Sequence, residues 1–138
     1  MDYLGNEIQR LDRDAIATAI QSLVAEDIHS FTICYLFSYM NDAHERETAN
    51  IIRDIAPGAF VSMSSEVLPR IREWPRFSTT LINAYLVPVL AKYIADLAAG
   101  LDDEKVMTRR RFLMQSNGGV MPLSANAEAQ TVHTLLSG

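Results

Sequence analysis

Ser30 to Met63 reads SFTICYLFSYMNDAHERETANIIRDIAPGAFVSM. Its first eight residues, Ser30 to Phe37, are rich in β-branched and aromatic side chains, and so short an apolar run predicts a strand buried on both faces. Asp42 and Glu45, three residues apart, then precede Ala49, Ile52, Ile55 and Ala56, which share one side of a helix. Asp42 is placed to accept from first-turn amides and Glu45 to reach back to the cap's own N–H, the pattern of a capping box. Pro57-Gly58 ends that helix, and Ala59 to Met63 predicts a second strand. Upstream, Asp12 precedes Ile16, Ala19, Ile20, Leu23 and Val24, which predicts an amphipathic helix ending near Glu26. Helix, strand, helix, strand with short connections implies right-handed crossovers and a mainly parallel sheet covered by helices, so the fold class is α/β. Tyr3 to Ile8 is expected as an edge strand or hairpin remnant.

Beyond Met63 the pattern changes. Ser64, Ser65 and Glu66 predict a polar turn, Val67-Leu68-Pro69 an extended segment, and Arg70, Arg72, Glu73 and Arg76 a charged connector. From Ser78 to about Gly100 one long helix is expected. Leu81, Tyr85, Val89, Tyr93 and Leu97 form one row on it, and Ile82, Leu86, Leu90 and Ile94 the next, which predicts a wide buried apolar face. Pro88 lies inside this helix and deprives the Ala84 carbonyl of its donor. A rod apolar over so wide a face is expected to be gripped between two bodies. After Leu101 to Lys105, an acidic turn, come Arg109 to Arg111 and then Phe112-Leu113-Met114, a short strand. Gln115-Ser116-Asn117-Gly118-Gly119 is a turn signal, because Asn and Gly tolerate positive φ, and Val120-Met121 is the returning strand. Ala125 to Ala129 predicts a helical turn and Thr131 to Leu136 a further strand.

Twelve Lys and Arg stand against 17 Asp and Glu among 138 residues, a net charge of −5, which argues against a phosphate backbone as partner. Hydrophobic residues make up 49% and charged residues 21%, which excludes a disordered chain. Cys34 has no second cysteine to pair with, and Met1 opens no secretory signal, so a reducing cytoplasm is the expected compartment. The apolar stretch from Leu81 to Leu101 is broken by Asn83, Pro88, Lys92 and Asp96, which predicts a soluble helix and no membrane partner.

His44-Glu45 is half of a zinc-protease helix, but position 48 holds Thr48 where a second imidazole is needed, and no metal site is expected. Ser64 and Ser65 lack the glycine-flanked strained turn of an esterase. Arg109 to Arg111 reads as a solvated basic edge or a phosphate contact. The turn at Ser116, Asn117, Gly118 and Gly119 serves equally as an anion-holding nest of N–H groups or as a tight hairpin.

Several collinear blocks go further. Ser64-Ser65-Glu66-Val67-Leu68-Pro69, Arg76-Phe77-Ser78-Thr79-Thr80, Asn83-Ala84-Tyr85 with Pro88, and Met114-Gln115-Ser116-Asn117-Gly118-Gly119-Val120-Met121 resemble the hydantoinase A/5-oxoprolinase family. Tyr35-Leu36-Phe37-Ser38-Tyr39, His44-Glu45 and Thr134-Leu135-Leu136-Ser137-Gly138 extend the match. Trp74-Pro75 and Val87 depart from the family's usual Tyr-Glu and Gly at those places, which bears on the branch and its substrate.

The resemblance implies a fragment of an actin-like (ribonuclease H-like) ATPase fold. Residues 1–66 would end the first α/β lobe, 67–101 form the connector and bridging helix, and 102–138 begin the second lobe. It implies an ATP-dependent enzyme, using ATP and Mg²⁺, that phosphorylates a cyclic amide or ketone oxygen to drive ring hydrolysis or carboxylation. The nucleotide-holding hairpins of the family are not in this segment, so no cofactor and no activity are expected of it alone. A companion hydantoinase B-type subunit is also implied. Ser116, Asn117, Gly118 and Gly119 are the candidates for the interlobe cleft, with Arg76 and Thr79 near the hinge, for substrate or phosphate. The competing expectation is a non-catalytic assembly module that keeps the scaffold. In either case the uncovered apolar face of the long helix predicts self-association.

Overall fold

A computed structural model describes residues 1–106, 108, 110–114 and 118–123. In chain order these form α1 (Arg13–Ala25), β1 (Ser30–Ile33), α2 (Ala43–Ile55), β2 (Phe60–Met63), α3 (Ser64–Val67), α4 (Glu73–Asp103), β3 (Phe112–Met114) and β4 (Val120–Pro122). The helical turn expected at Ala125 to Ala129 and the strand at Thr131 to Leu136 lie outside the described residues.

β1 and β2 pair in parallel, Ser30 opposite Phe60 and Ile33 opposite Met63, with α2 as the connection between them. Alternation gives this two-stranded sheet two unlike faces. Phe31, Ile33, Val61 and Met63 are buried with Ile20 of α1 and Ala49, Ile51 and Ile52 of α2, which makes the apolar core. Ser30 and Ser62 bond instead to α4 on the opposite face. The strand expected to reach Phe37 stops at Ile33, because its partner ends at Met63 and the chain turns there into α3. The segment Ser64 to Glu66, expected as a polar turn, is thus helical.

Asp12 caps α1 as expected, its carboxylate accepting from the Ala15 amide at 3.0 Å. The capping box of α2 does not form. The Asp42 side chain makes no cap bond, Asn41 Oδ1 takes the Ala43 amide at 3.0 Å, and Asp42 pairs with Arg46 at 2.7 Å. Glu45 is drawn away because it has stronger donors in the interior. Tyr3 to Ile8 forms no strand. The Asp2 carboxylate organises a turn there, accepting from the Leu4 and Asn6 amides and from Asn6 Nδ2. These bonds, the Asn6 side chain foremost, hold its pKa below the ordinary carboxylate value.

The long helix begins at Glu73, five residues before its expected start. Pro75 falls in its first turn, where a missing N–H costs no intrahelical bond. The expected apolar rows pack only in part: Ile94 is buried and Leu86, Leu90 and Leu97 are half-buried, but the rest face outward. Leu81 is 50% exposed, Tyr85 78% and Val89 66%, whereas Arg76, Thr80, Asn83, Ala84 and Val87 are buried. The hydroxyl-bearing face of the sheet favours the polar row of the helix, which partners Ser30 and Ser62 where an apolar row could not, while the buried Thr32 hydroxyl on the same face finds no partner among the described residues. By length and composition alone α4 could cross a membrane. Its first half is nonetheless tied to the sheet by side-chain bonds.

The expected hairpin forms, with β3 and β4 antiparallel and Leu113 opposite Met121. Arg111 joins it to the far end of α4, pairing with Asp102 at 2.6 Å and donating to the Ala98 carbonyl at 3.4 Å. The rod therefore carries the parallel pair on its first half and the hairpin on its last turns. In urea unfolding, Val87→Ala should cost about 2 kcal/mol, the sum of lost burial and residual cavity. Tyr85→Ala should change stability by no more than about 0.5 kcal/mol. The reverse order of the two costs would mean that the apolar rows form the packed face.

Candidate functional site

In open α/β sheets ligands bind outside the carboxyl ends of the parallel strands. Here those ends deliver the segment after Ile33 and the start of α3 to one place. Glu45, from the first turn of α2, lies fully buried between them. One carboxylate oxygen accepts from the Tyr35 amide at 3.1 Å and from Ser64 Oγ at 2.5 Å, and the other from the Ser65 amide at 2.8 Å. Ser38 Oγ is 3.1 Å from Ser64 Oγ. One buried carboxylate thus binds the loops that follow both strands to each other. Three charge-assisted bonds are what make its burial tolerable.

Arg76 reaches the same loop from the first turns of α4. Its Nη2 donates to the Tyr35 carbonyl at 2.6 Å, and its guanidinium carbon lies 5.5 Å from the centroid of the Tyr39 ring. The peptide groups of Tyr35 are therefore held by an anion on the N–H side and a cation on the C=O side. Arg76 also borders an apolar cavity of 360 Å³ with Cys34, Leu36, Trp74 and Phe77.

Outside this knot is a second cavity of 360 Å³, lined mainly by polar groups of Ser38, Tyr39, Asn41, Asp42 and Ser65, with Leu4 and Gly5 at its rim. The Ser65 hydroxyl is buried and has no partner among the described residues. Asn41 Nδ2 donates to the Gly5 carbonyl at 2.8 Å, and His44 Nε2 lies 2.8 Å from Glu7 Oε1, so the opening segment is tied across the crevice. Gly5 has φ +84°, a conformation a side chain would strain. The crevice offers hydroxyl, amide and carboxylate groups to a small polar ligand. Among the described residues no three His, Cys, Asp or Glu side chains are grouped to hold a metal ion.

Of the residues singled out from sequence, Arg76 is fully buried at the knot, and Thr79 is half-buried one position before Thr80, whose hydroxyl donates to the Arg76 carbonyl at 2.7 Å. Gly118, with φ +82°, is exposed in the hairpin, and Gly119 follows it half-buried. Ser116 and Asn117 lie outside the described residues. Arg76 and Gly118 are thus attached to opposite ends of α4. Sequence reasoning missed Glu45, which it assigned to a cap, together with Ser38, Ser62 and Asn83. Their signal was a polar row, Arg76, Thr80 and Asn83, at helical spacing inside an otherwise apolar segment.

Because Glu45 holds two loops at once, Glu45→Gln should cost about 3 kcal/mol in urea unfolding, as donors facing the new amide lose their acceptor. Asp42→Ala, three residues earlier and half exposed, should cost less than about 1 kcal/mol. Equal costs would return Glu45 to the role of an ordinary helix-start residue.

Two models of one family match the chain: the hydantoinase/oxoprolinase N-terminal region over residues 1–56, and the hydantoinase/oxoprolinase domain over residues 76–138. The caprolactamase subunit alpha of Pseudomonas jessenii is 36% identical over 118 residues, 86% of this chain and 17% of that subunit. The 5-oxoprolinase of Saccharomyces cerevisiae is 39% identical over 114 residues, 83% of this chain and 9% of the enzyme. This chain therefore spans less than a fifth of the length of either relative. The crystal structure of the ATP-dependent caprolactamase from Pseudomonas jessenii matches all of this chain with a TM-score of 0.88 at 34% identity, over 20% of its own length. The nucleotide-free acetone carboxylase structure, 22% identical, shares the fold over 97% of this chain with a TM-score of 0.77. With two family regions matched in order over residues 1–56 and 76–138, and a caprolactamase subunit 36% identical over 86% of the chain, the protein belongs to the hydantoinase/oxoprolinase family.

Proposed function

We propose that this chain is a segment of an ATP-dependent enzyme acting on a cyclic amide, with a ketone as the other substrate class, and that it supplies scaffold rather than the nucleotide grip. The observation that carries the reading is the fit of the entire chain, α4 included, to one fifth of an ATP-dependent caprolactamase. In the whole protein, residues 1–66 would close a first lobe of actin-like design, 67–101 bridge, and 102–138 open a second lobe. The crevice past β1 and β2 would then face the space between lobes, and Gly118 and Gly119, with Ser116 and Asn117, would approach it from the second lobe. A cytoplasmic setting and no membrane or nucleic-acid partner complete the proposal.

The knot itself does not fit a nucleotide. Glu45 has both oxygens engaged by protein donors, and Arg76 is fully buried with Nη2 on the Tyr35 carbonyl, so neither is placed to take a triphosphate or its cation. ATP and Mg²⁺ are therefore assigned to other parts of the whole protein, and no chemical step is assigned to a residue here. A companion subunit of the hydantoinase B type is proposed because the caprolactamase relative is itself named as a subunit.

The direct test replaces the matching segment of the Pseudomonas jessenii caprolactamase subunit with residues 1–138 and measures ATP-dependent lactam hydrolysis in the assembled enzyme. Retained turnover, with none from the 138-residue chain alone, is the expected result. A soluble, assembled chimera without turnover on caprolactam, 5-oxoproline or hydantoin would reject the enzyme reading in favour of an assembly module.

The exposed row of Leu81, Tyr85, Val89 and Tyr93 gives the isolated chain a further property. Contiguous apolar surface of this kind is covered in stable proteins. Sedimentation at tens of micromolar should find the chain self-associated, and Tyr85→Lys combined with Val89→Lys should shift it toward monomer. A monomer before substitution would contradict this.

A further inference from the structure

Pro88 lacks the N–H that would otherwise donate to the carbonyl of Ala84, four residues earlier. Ala84 is 4% exposed, so water has little access to that oxygen. The structure supplies a replacement from elsewhere in the chain: Ser30 Oγ donates to the Ala84 carbonyl at 2.6 Å. Ser30 is the first residue of β1, and nothing in the pattern of the strand requires a hydroxyl there.

The position of this bond along the sheet matters. α4 meets the carboxyl end of β1 where Arg76 binds Tyr35, and the amino end where Ala84 binds Ser30. It therefore runs against the strand direction and has crossed the whole sheet by residue 84. Five of its six buried residues, Arg76, Thr80, Asn83, Ala84 and Val87, precede Pro88, and only Ile94 follows. The outer half carries the hairpin instead, through Arg111 on Ala98 and Asp102. The break in the hydrogen-bond ladder thus coincides with the point at which the helix leaves the parallel pair.

We propose that Ser30 is a latch on a hinge in α4: its hydroxyl replaces the amide that Pro88 lacks, and together they set the angle at which the outer half of the helix, with the β3–β4 hairpin, departs from the β1–β2 sheet. Helices kink at proline, and the freed carbonyl is what a hinge must either satisfy or expose. With the latch closed the angle has one preferred value. With it open, the Ala84 carbonyl needs solvent, which it reaches only if the outer half swings.

The test is a double-mutant cycle on the 138-residue chain, using Ser30→Ala and Pro88→Ala with urea unfolding. Ser30→Ala alone should raise the unfolding constant about tenfold, because a buried carbonyl loses its donor. In the Pro88→Ala background the restored amide satisfies Ala84, and Ser30→Ala should then change the constant by less than about twofold. Equal effects in both backgrounds, or no effect in either, would overturn the latch. Should Ser30→Ala alone fail to fold, the double variant decides: folding of Ser30→Ala with Pro88→Ala supports the latch, and failure of both overturns it. Hydrogen exchange reads the hinge itself. Amides of residues 89–97 should exchange at least about tenfold faster than those of residues 77–87, and uniform protection along α4 would refute a hinge.

Discussion

The structure depends on a polar seam between α4 and the two parallel strands. One sheet face is apolar and is covered by α1 and α2. The other carries Ser30 and Ser62, which meet Ala84 and Asn83 of α4 at 2.6 and 2.9 Å. Buried hydroxyls restrict which surface can cover them, because an unpartnered polar atom in the interior costs more than the net gain of a formed bond. The seam therefore determines the rotation of α4 about its own axis. Once the polar row faces the sheet, Leu81, Ile82, Tyr85, Val89 and Tyr93 face outward, and that surface becomes one that further polypeptide has to cover.

The knot around Tyr35 applies the same constraint at the carboxyl ends of the strands. Glu45 and Arg76 arrive from helices on opposite faces of the sheet and hold the N–H and C=O of one residue. The two charges spare each other the full cost of burial only because hydrogen-bonding backbone lies between them. The loops after β1 and β2 are thereby rigid where an α/β fold presents its ligands. That arrangement suits a scaffold on which a site is assembled from several segments.

Much of the α/β arrangement is legible in the sequence. Asp12 marked the start of α1, Pro57-Gly58 the stop of α2, and Asn117-Gly118-Gly119 the hairpin, because each signal rests on chemistry within a few residues. Glu45 was not legible. A carboxylate three residues after Asp42 satisfies the capping pattern, and nothing local reveals that Tyr35, Ser64 and Ser65 compete for it with better geometry. The start of α4 was hidden for a related reason, since Trp74 and Pro75 look like a connector until the first-turn tolerance for proline is recognised in place.

By itself, then, the amino-acid order determined the main periodicities, those of α1, α2, α4 and the paired strands, and that the Ala84 carbonyl must lose its partner to Pro88. The tertiary structure decided what those periodicities face. It turned the polar row of α4 inward, brought Ser30 across 54 positions to the orphaned carbonyl, and drew Glu45 off its helix start. Spacing records which side chains share a surface, whereas the surface that covers them is a long-range partner whose identity only packing can settle.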